Sequence, residues 1–244
     1  MTILENSREI EVLDSVDVLV CGGGIAGVSA AVSAARSGAK TLLLERNGCL
    51  GGILTSNIIP NLCNARFTED IKQQISGIPL ELMQRLVKCG GCDANWNQPN
   101  IKLVFDEQKM KVVMIEMLQE ANVRVYTHVW ISDPIMMDNI IQGVFIETKI
   151  GRKAILAKVV IDCTGEADVL WKTGCPMRIM EGTCSLAFKM SNVDGEAFYQ
   201  YFKTHPEEFP NNHDGVRSFS DFADNWLKAG YFYFPGVRTF SWTS

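Results

Sequence analysis

The sequence predicts an α/β fold built on a parallel sheet, and three consecutive features near its start carry that prediction. Residues 16–20 form an apolar run that is short enough for a buried strand. A glycine-rich turn follows, and small apolar residues then recur at helical spacing until Gly38 ends the helix. A second apolar run, Thr41–Leu44, ends at Glu45. Strand, helix and strand in this order make a βαβ unit.

The turn after the first strand has the spacing G-x-G-x-x-G, with glycines at Gly22, Gly24 and Gly27. The first allows a tight turn, the second lets the backbone approach a pyrophosphate, and the third lets helix and strand pack closely. The free N–H groups and the dipole of the helix attract a diphosphate there. Glu45 can accept hydrogen bonds from the hydroxyls of an adenosine ribose. The unit therefore predicts a dinucleotide site, and a glycine turn without a ligand is the alternative.

Composition indicates small-molecule chemistry. The 244 residues, 47% hydrophobic and 21% charged, suit one large domain or a domain and a half. A net charge of −5 without basic clusters gives no reason to expect nucleic acid or an anionic membrane as a partner. Residues 1–15 are acidic, unlike a secretory signal, and we expect an extension that lies on the sheet edge or is mobile. Eight scattered cysteines and no long apolar run predict a cytoplasmic protein that spans no membrane.

A second glycine pair, Gly51 and Gly52, lies in the turn-rich loop that follows Glu45. A flat ring system or its linker could lie against bare backbone at such a pair. A Rossmann unit that binds only a nicotinamide cofactor has no need for it.

In this order the features of residues 16–52 resemble the FAD-binding start of the glutathione-reductase-like flavoproteins, and more narrowly the bacterial FAD-dependent oxidoreductase family. Three further stretches support the narrower resemblance: residues 77–79 with the helix 80–87, the helix that residues 105–110 open and that runs to 121, and residues 158–165. The last, KVVIDCTG, is similar to the strand and Ala-Thr-Gly signature that returns a β-meander beneath the dinucleotide. Cys163 replaces the usual alanine, a small residue for a small residue.

The resemblance implies an FAD cofactor in a Rossmann-like domain with a three-layer parallel sheet and β-meander. It assigns the glycine loop to the cofactor diphosphate, with residues Gly22, Gly24, Ile25, Ala26 and Gly27, and Glu45 to the ribose. It assigns Arg46 to the adenosine side, the backbone of Val129 to adenine, and Gly51 and Gly52 to the flavin end. Thr164 and Gly165 belong to the signature and are also expected to bind the cofactor. No catalytic residue is assigned, because the isoalloxazine carries the electron chemistry.

Two domains are expected: an FAD-binding domain over 16–175 with a helical insertion at about 56–121, and a partial α+β substrate domain over 176–244. The first should contain a strand at 123–127 and a hairpin of Ile140–Thr148 with 153–157. The second should contain strands at 184–190 and 231–234, helices at about 194–204 and 222–228, and a polar loop through 211–212. Family likeness implies that the chain stops in the middle of this domain and is truncated.

Other candidate groups favour structural roles. Cys89 and Cys92 have C-x-x-C spacing, but a metal site needs two more ligands, so a loop is favoured over a metal or redox site and no metal is assigned. Three histidines are isolated, and His128 is interpreted as structural. Two arginines could pair with an anionic substrate or be surface cations. The other two histidines are His205 and His213, and the two arginines are Arg178 and Arg238.

The function that this sequence predicts is an FAD-dependent oxidoreductase acting on a small organic molecule by hydride or electron-pair transfer. One alternative is a truncated or non-catalytic dinucleotide-binding module. Another is a biosynthetic relative that uses NAD, as thiazole synthases do, although the strand leading into residues 163–165 argues against it.

Overall fold

The computed structural model describes residues 2–3, 7–57, 59, 75–94, 96, 104–178 and 192–208. The chain divides into two compact units, Met1–Met180 and Glu181–Ser244. Several expected features lie outside the described residues: the strands at 184–190 and 231–234, the helix at 222–228, the loop at 211–212, and positions 213 and 238. The helices and strands of the first unit are, in chain order, β1 (Val12–Cys21), α1 (Ile25–Arg36), β2 (Thr41–Leu44), α2 (Gly77–Lys88), α3 (Glu107–Glu120), β3 (Arg124–Tyr126), β4 (Trp130–Met137), β5 (Ile140–Thr148), β6 (Gly151–Asp162) and α4 (Asp168–Lys172).

The sheet has six strands in the order β3-β2-β1-β6-β5-β4. β1 is parallel to both β2 and β6, and β3 is parallel to β2. β4, β5 and β6 form an antiparallel meander. The predicted α/β class and the βαβ unit are confirmed, and β2 has the predicted bounds.

β1 begins at Val12, four residues before the predicted start of the strand. These added residues pair with β6, from Val12 opposite Ala154 to Ser15 opposite Leu156. The strand therefore includes residues 12–15, which sequence analysis assigned to the N-terminal extension. The polar residues Asp14 and Ser15 interrupt the apolar pattern here, and the partner strand lies far away in the sequence, so this part of β1 was not predicted.

β4 is a strand that sequence analysis did not predict. It lies at the sheet edge, where Pro134 faces Val144 of β5. Proline has no N–H to donate to a neighbouring strand, so it is tolerated at an edge. The hairpin that sequence analysis predicted beyond it is confirmed, with Thr148 opposite Gly151.

β2 and the last three residues of β1 are buried on both faces. Leu19 packs in a core with Val144 and Ile155 of the meander, whereas the next residue, Val20, packs with the three helices. Strands covered on both sides read as continuous apolar runs, which is the pattern that predicted β1 and β2. The buried residues of the helical core are Val28, Ala31 and Val32 of α1, Leu82, Met83 and Leu86 of α2, and Met110, Val113, Met114, Met117 and Leu118 of α3.

α3 confirms the helix predicted to run to residue 121. Asp106 caps its start by accepting hydrogen bonds from the N–H groups of Gln108 and Lys109, at 2.8 and 3.0 Å. Such a cap satisfies donors that the helix itself cannot pair. In the second unit, Asp194 caps α5 (Gly195–Thr204) in the same way, confirming the helix expected at about 194–204. Among the described helices, none is both long and apolar enough to cross a bilayer.

A four-residue charge network ties the helices of the first unit together. Arg36 of α1 donates two hydrogen bonds to Glu81 of α2, at 2.5 and 2.9 Å. Arg85 donates to Glu81 at 2.9 Å and to Glu120 of α3 at 2.6 and 2.7 Å. Hydrogen bonding from Arg36, followed by that from Arg85, outweighs burial and lowers the pKa of Glu81 to about 2.

This network makes the stability of the protein depend on pH in a defined range. Because the pKa of Glu81 is depressed from 4.5 to about 2, its stabilising effect is complete above 4.5 and is lost as the pH falls towards 2. We expect wild type to exceed Glu81→Gln in unfolding free energy at pH 7, with a difference that shrinks over that range. Urea titrations of both proteins at several pH values measure this difference in unfolding free energy. Glu116→Gln, at an exposed position of α3, is the control, and an equal pH dependence for Glu81→Gln and wild type would contradict the network.

Candidate functional site

Two glycines of the G-x-G-x-x-G turn are required by the packing of the protein itself. At Gly22, where φ is +106°, an added Cβ would lie 2.3 Å from the carbonyl oxygen of Cys163. At Gly27 it would lie 1.8 Å from the carbonyl oxygen of Gly22. The backbone after β6 and the first turn of α1 thus pack closely against the loop, so no side chain fits at either position.

Gly24 differs, because a Cβ there would meet no atom within 4 Å. Its φ of −68° also suits any residue. The first hydrogen bond within α1 joins the N–H of Val28 to the carbonyl of Gly24, at 2.9 Å. The N–H groups of Ile25, Ala26 and Gly27 therefore precede the helical hydrogen-bond pattern, and no side chain caps them. Open space beside unpaired donors at the positive end of a helix suits a phosphate group.

The second glycine pair lies directly against this turn. The N–H of Gly51 donates to the carbonyl of Gly23 at 2.8 Å, and a Cβ on Gly52 would lie 3.1 Å from the Cα of Gly24. Both residues of the pair have positive φ, +106° and +54°. Backbone without side chains is therefore continuous from the first loop to the second. The structure brings together two motifs that the sequence separates.

The Glu45 carboxylate is held at the edge of this surface. Glu45 is only 5% exposed, and one oxygen accepts the N–H of Gly23 while the other accepts that of Asn47, both at 2.7 Å. These donors use two of the roughly four lone-pair directions of a carboxylate. The remaining directions can accept the hydroxyls of a ribose.

Gly23 is a constrained position that sequence analysis missed. A Cβ there would lie 2.9 Å from a Glu45 carboxylate oxygen and 2.7 Å from a methyl group of Leu50. The signal was present in the run of three glycines, of which the motif explains only two. The third is needed because the carboxylate approaches the loop backbone.

Three residues lie in the chain segments next to Glu45, and two of them, Val129 and Arg46, are those that the resemblance assigns to the adenosine. Val129 is buried and its N–H donates to the Glu45 carbonyl at 3.1 Å, so a backbone contact with adenine would fall to the Val129 carbonyl. Arg46 is exposed, with its guanidinium 5.6 Å from the centre of the Trp130 ring. The ring of His128 packs against Gly48, where a Cβ would come within 2.8 Å of it.

Asp162, at the end of β6, organises the loop that contains Thr164 and Gly165. One carboxylate oxygen accepts the N–H and the hydroxyl of Thr164, at 3.1 and 2.7 Å, and the other accepts the N–H groups of Val169 and Leu170, both at 3.0 Å. The Thr164 hydroxyl also accepts the N–H of Asp168 at 2.8 Å, so its side chain shapes the loop. Gly165 has open space at its Cβ position and a φ of +97°. The role of Asp162 was not predicted from the sequence.

The C-x-x-C pair has the geometry of a helix end. Cys89 follows the last residue of α2, and its thiol donates to the carbonyl of Leu86 at 3.2 Å. Both cysteines are free thiols, and burial raises the pKa of Cys92 to about 11. A thiol that stays protonated at neutral pH is a poor nucleophile. This arrangement agrees with the interpretation as a loop.

Comparison with known proteins identifies the family. The model of a family described as FAD dependent oxidoreductase matches residues 17–240. This chain belongs to the FAD-dependent oxidoreductase family. The match includes the glycine turn, Glu45 and the second glycine pair, and the cofactor of this family is FAD.

This FAD-dependent oxidoreductase family member is similar to several characterised proteins. A fumarate reductase (cytochrome) of Shewanella frigidimarina is 41% identical over 83 residues, 34% of this chain and 14% of that protein. A thiamine thiazole synthase of Methanococcus vannielii is 30% identical over 175 residues, 67% of this chain and 62% of that protein. A solved structure, a geranylgeranyl bacteriochlorophyll reductase-like protein of Thermoplasma acidophilum, has 19% identity and a TM-score of 0.48, covering 69% of this chain and 44% of that one. The chain spans less than two thirds of the length of each.

Proposed function

We propose that this protein binds FAD along the bare backbone of its two glycine motifs and exchanges a hydride or an electron pair with a small organic substrate. The observation that carries the proposal is the open space at Gly24, bordered by helix N–H groups and by Gly52. Packing explains the absence of a side chain at Gly22 and Gly27 but not at Gly24, and a bound diphosphate explains it there. FAD, when bound, supplies the electron transfer through its isoalloxazine.

The residues of the chain would bind and orient this cofactor. The N–H groups of residues 25–27 would hold the diphosphate, and the Glu45 carboxylate, fixed by two backbone donors, would hold the ribose. The backbone of Gly51 and Gly52 would lie towards the flavin end. The proposal includes a cytoplasmic setting, which the scattered cysteines of the sequence support.

Gly24→Ala tests the proposal with little disturbance of the fold. The added methyl group meets no protein atom within 4 Å, but it would occupy the space of the diphosphate. We expect FAD to bind at least about 10-fold more weakly, since a clash of about 1.4 kcal/mol suffices for that loss. Titration calorimetry with FAD measures the affinity, and the visible spectrum of the purified protein reports bound flavin.

Ser33→Ala, at an exposed position further along α1, is the matched control and should bind FAD as wild type does. Urea midpoints for both variants should lie close to the wild-type value. Wild-type FAD affinity in Gly24→Ala would place the diphosphate elsewhere. A wild-type protein that stays colourless with added FAD would overturn the proposed function.

The similarity to a thiazole synthase supports a second candidate function, in which the same loop holds NAD for a biosynthetic reaction. Titration of wild type with NAD alongside FAD separates the two candidates. Tighter binding of FAD supports the oxidoreductase, whereas NAD binding without FAD binding supports the alternative.

A further inference from the structure

Trp130 is a large aromatic side chain that folding leaves 57% exposed. It is the first residue of β4, and the residue before it, Val129, donates its N–H to the carbonyl of Glu45 at 3.1 Å. Because Trp130 directly follows Val129, this hydrogen bond keeps the Trp130 backbone close to Glu45. An exposed indole held beside a ligand site offers a flat apolar face for a ligand ring.

Arg46 places a second flat group opposite that indole. It directly follows Glu45, and its guanidinium carbon lies 5.6 Å from the centre of the Trp130 ring, within cation–π distance. Arg46 is also exposed, so its side chain can rotate to admit a ring between the two planes. Two planar groups, Arg46 following β2 and Trp130 starting β4, therefore lie within cation–π distance of each other in the segments next to Glu45.

We propose that Trp130 is the stacking platform for the adenine ring of FAD, with Arg46 covering the other face of the ring. This inference rests on the proposed function. In FAD the adenine is attached to this ribose. A ribose bound by Glu45 therefore brings the base within reach of the side chains next to Glu45 and Val129. Bases stack favourably on aromatic rings and on arginine guanidinium planes.

ADP is the probe for this platform, because it has the adenosine and the diphosphate but no flavin. We expect Trp130→Ala to bind both ADP and FAD about 10-fold more weakly in titration calorimetry, within the range known for base stacking on aromatic side chains. Trp130→Phe keeps a ring and should recover most of the affinity. Trp171→Ala is the matched control, since Trp171 is 58% exposed but lies on α4, and it should bind as wild type does.

Tryptophan fluorescence gives a second readout that does not depend on the stability of the alanine variant. ADP should quench the fluorescence of wild type and of Trp171→Phe, and this quenching should be largely lost in Trp130→Phe. If wild type binds both ligands while Trp130→Ala keeps its affinity or Trp130→Phe keeps the quenching, the platform is overturned and the FAD site stands. If wild type binds neither ADP nor FAD, the proposed function itself fails.

Discussion

Gly27→Ala is expected to destabilise the first unit of the protein strongly. The added Cβ would lie 1.8 Å from the carbonyl oxygen of Gly22, far closer than any real contact. The loop has little room to shift, because the Gly22 backbone is packed so closely on Cys163, just after β6, that a Cβ at Gly22 would lie 2.3 Å from the Cys163 carbonyl oxygen. We expect a loss above about 3 kcal/mol, a large part of the roughly 5–15 kcal/mol that stabilises a typical domain. Urea unfolding followed by circular dichroism measures it.

Gly24→Ala is the control for this prediction, because it makes the same chemical change three residues earlier in open space. It should unfold close to the wild-type urea concentration and lose only FAD affinity. A Gly27→Ala protein with the wild-type midpoint would show that α1 does not pack on the loop as described.

Asp162→Asn is expected to lower both stability and FAD affinity. The carboxylate accepts four hydrogen bonds, two on each oxygen, at 2.7–3.1 Å. Asparagine keeps one accepting oxygen, and its amide nitrogen would face two donors that it cannot accept. Leaving those donors unpaired costs about 3 kcal/mol. Because the same bonds shape the loop of residues 163–165, we also expect weaker FAD binding, measured by titration beside the urea midpoint.

Asp168→Asn is the matched control, since Asp168 is exposed and only its backbone N–H takes part in this loop. It should leave both measurements close to wild type. Equal effects of the two substitutions would mean that charge near α4, and not the accepting oxygens of Asp162, determines the result.

Local sequence patterns were sufficient for the centre of the site. The strand bounds Thr41–Leu44, the helix before them and the acid after them follow from apolar periodicity and from glycines at fixed offsets. These signals are local because turn geometry and helix periodicity are set by neighbours in sequence. The resemblance then connected the glycine loop with Gly51 and Gly52, which the structure places in direct contact.

What the sequence did not reveal depends on contacts between distant residues. Residues 12–15 look like a polar extension until β6 pairs with them, and β4 is hidden by Pro134 until its edge position is known. Gly23 is constrained by a carboxylate 22 residues later. Asp162 matters because it accepts hydrogen bonds from backbone N–H groups of a following helix, and the first residue of that helix was not predicted from the sequence. Periodicity and spacing carry no record of such partners.

The pairing of β1 with β6 implies an order of events during synthesis. As the chain leaves the ribosome, β1 can find β2 early, but its other flank stays bare until Asp162 has been made and can lie beside Cys21. Pairing of residues so distant in sequence is slow, and bare strand edges attract other chains. The glycine turn after β1 therefore reaches its final packing late, and a nascent chain stalled before β6 is expected to be prone to aggregation.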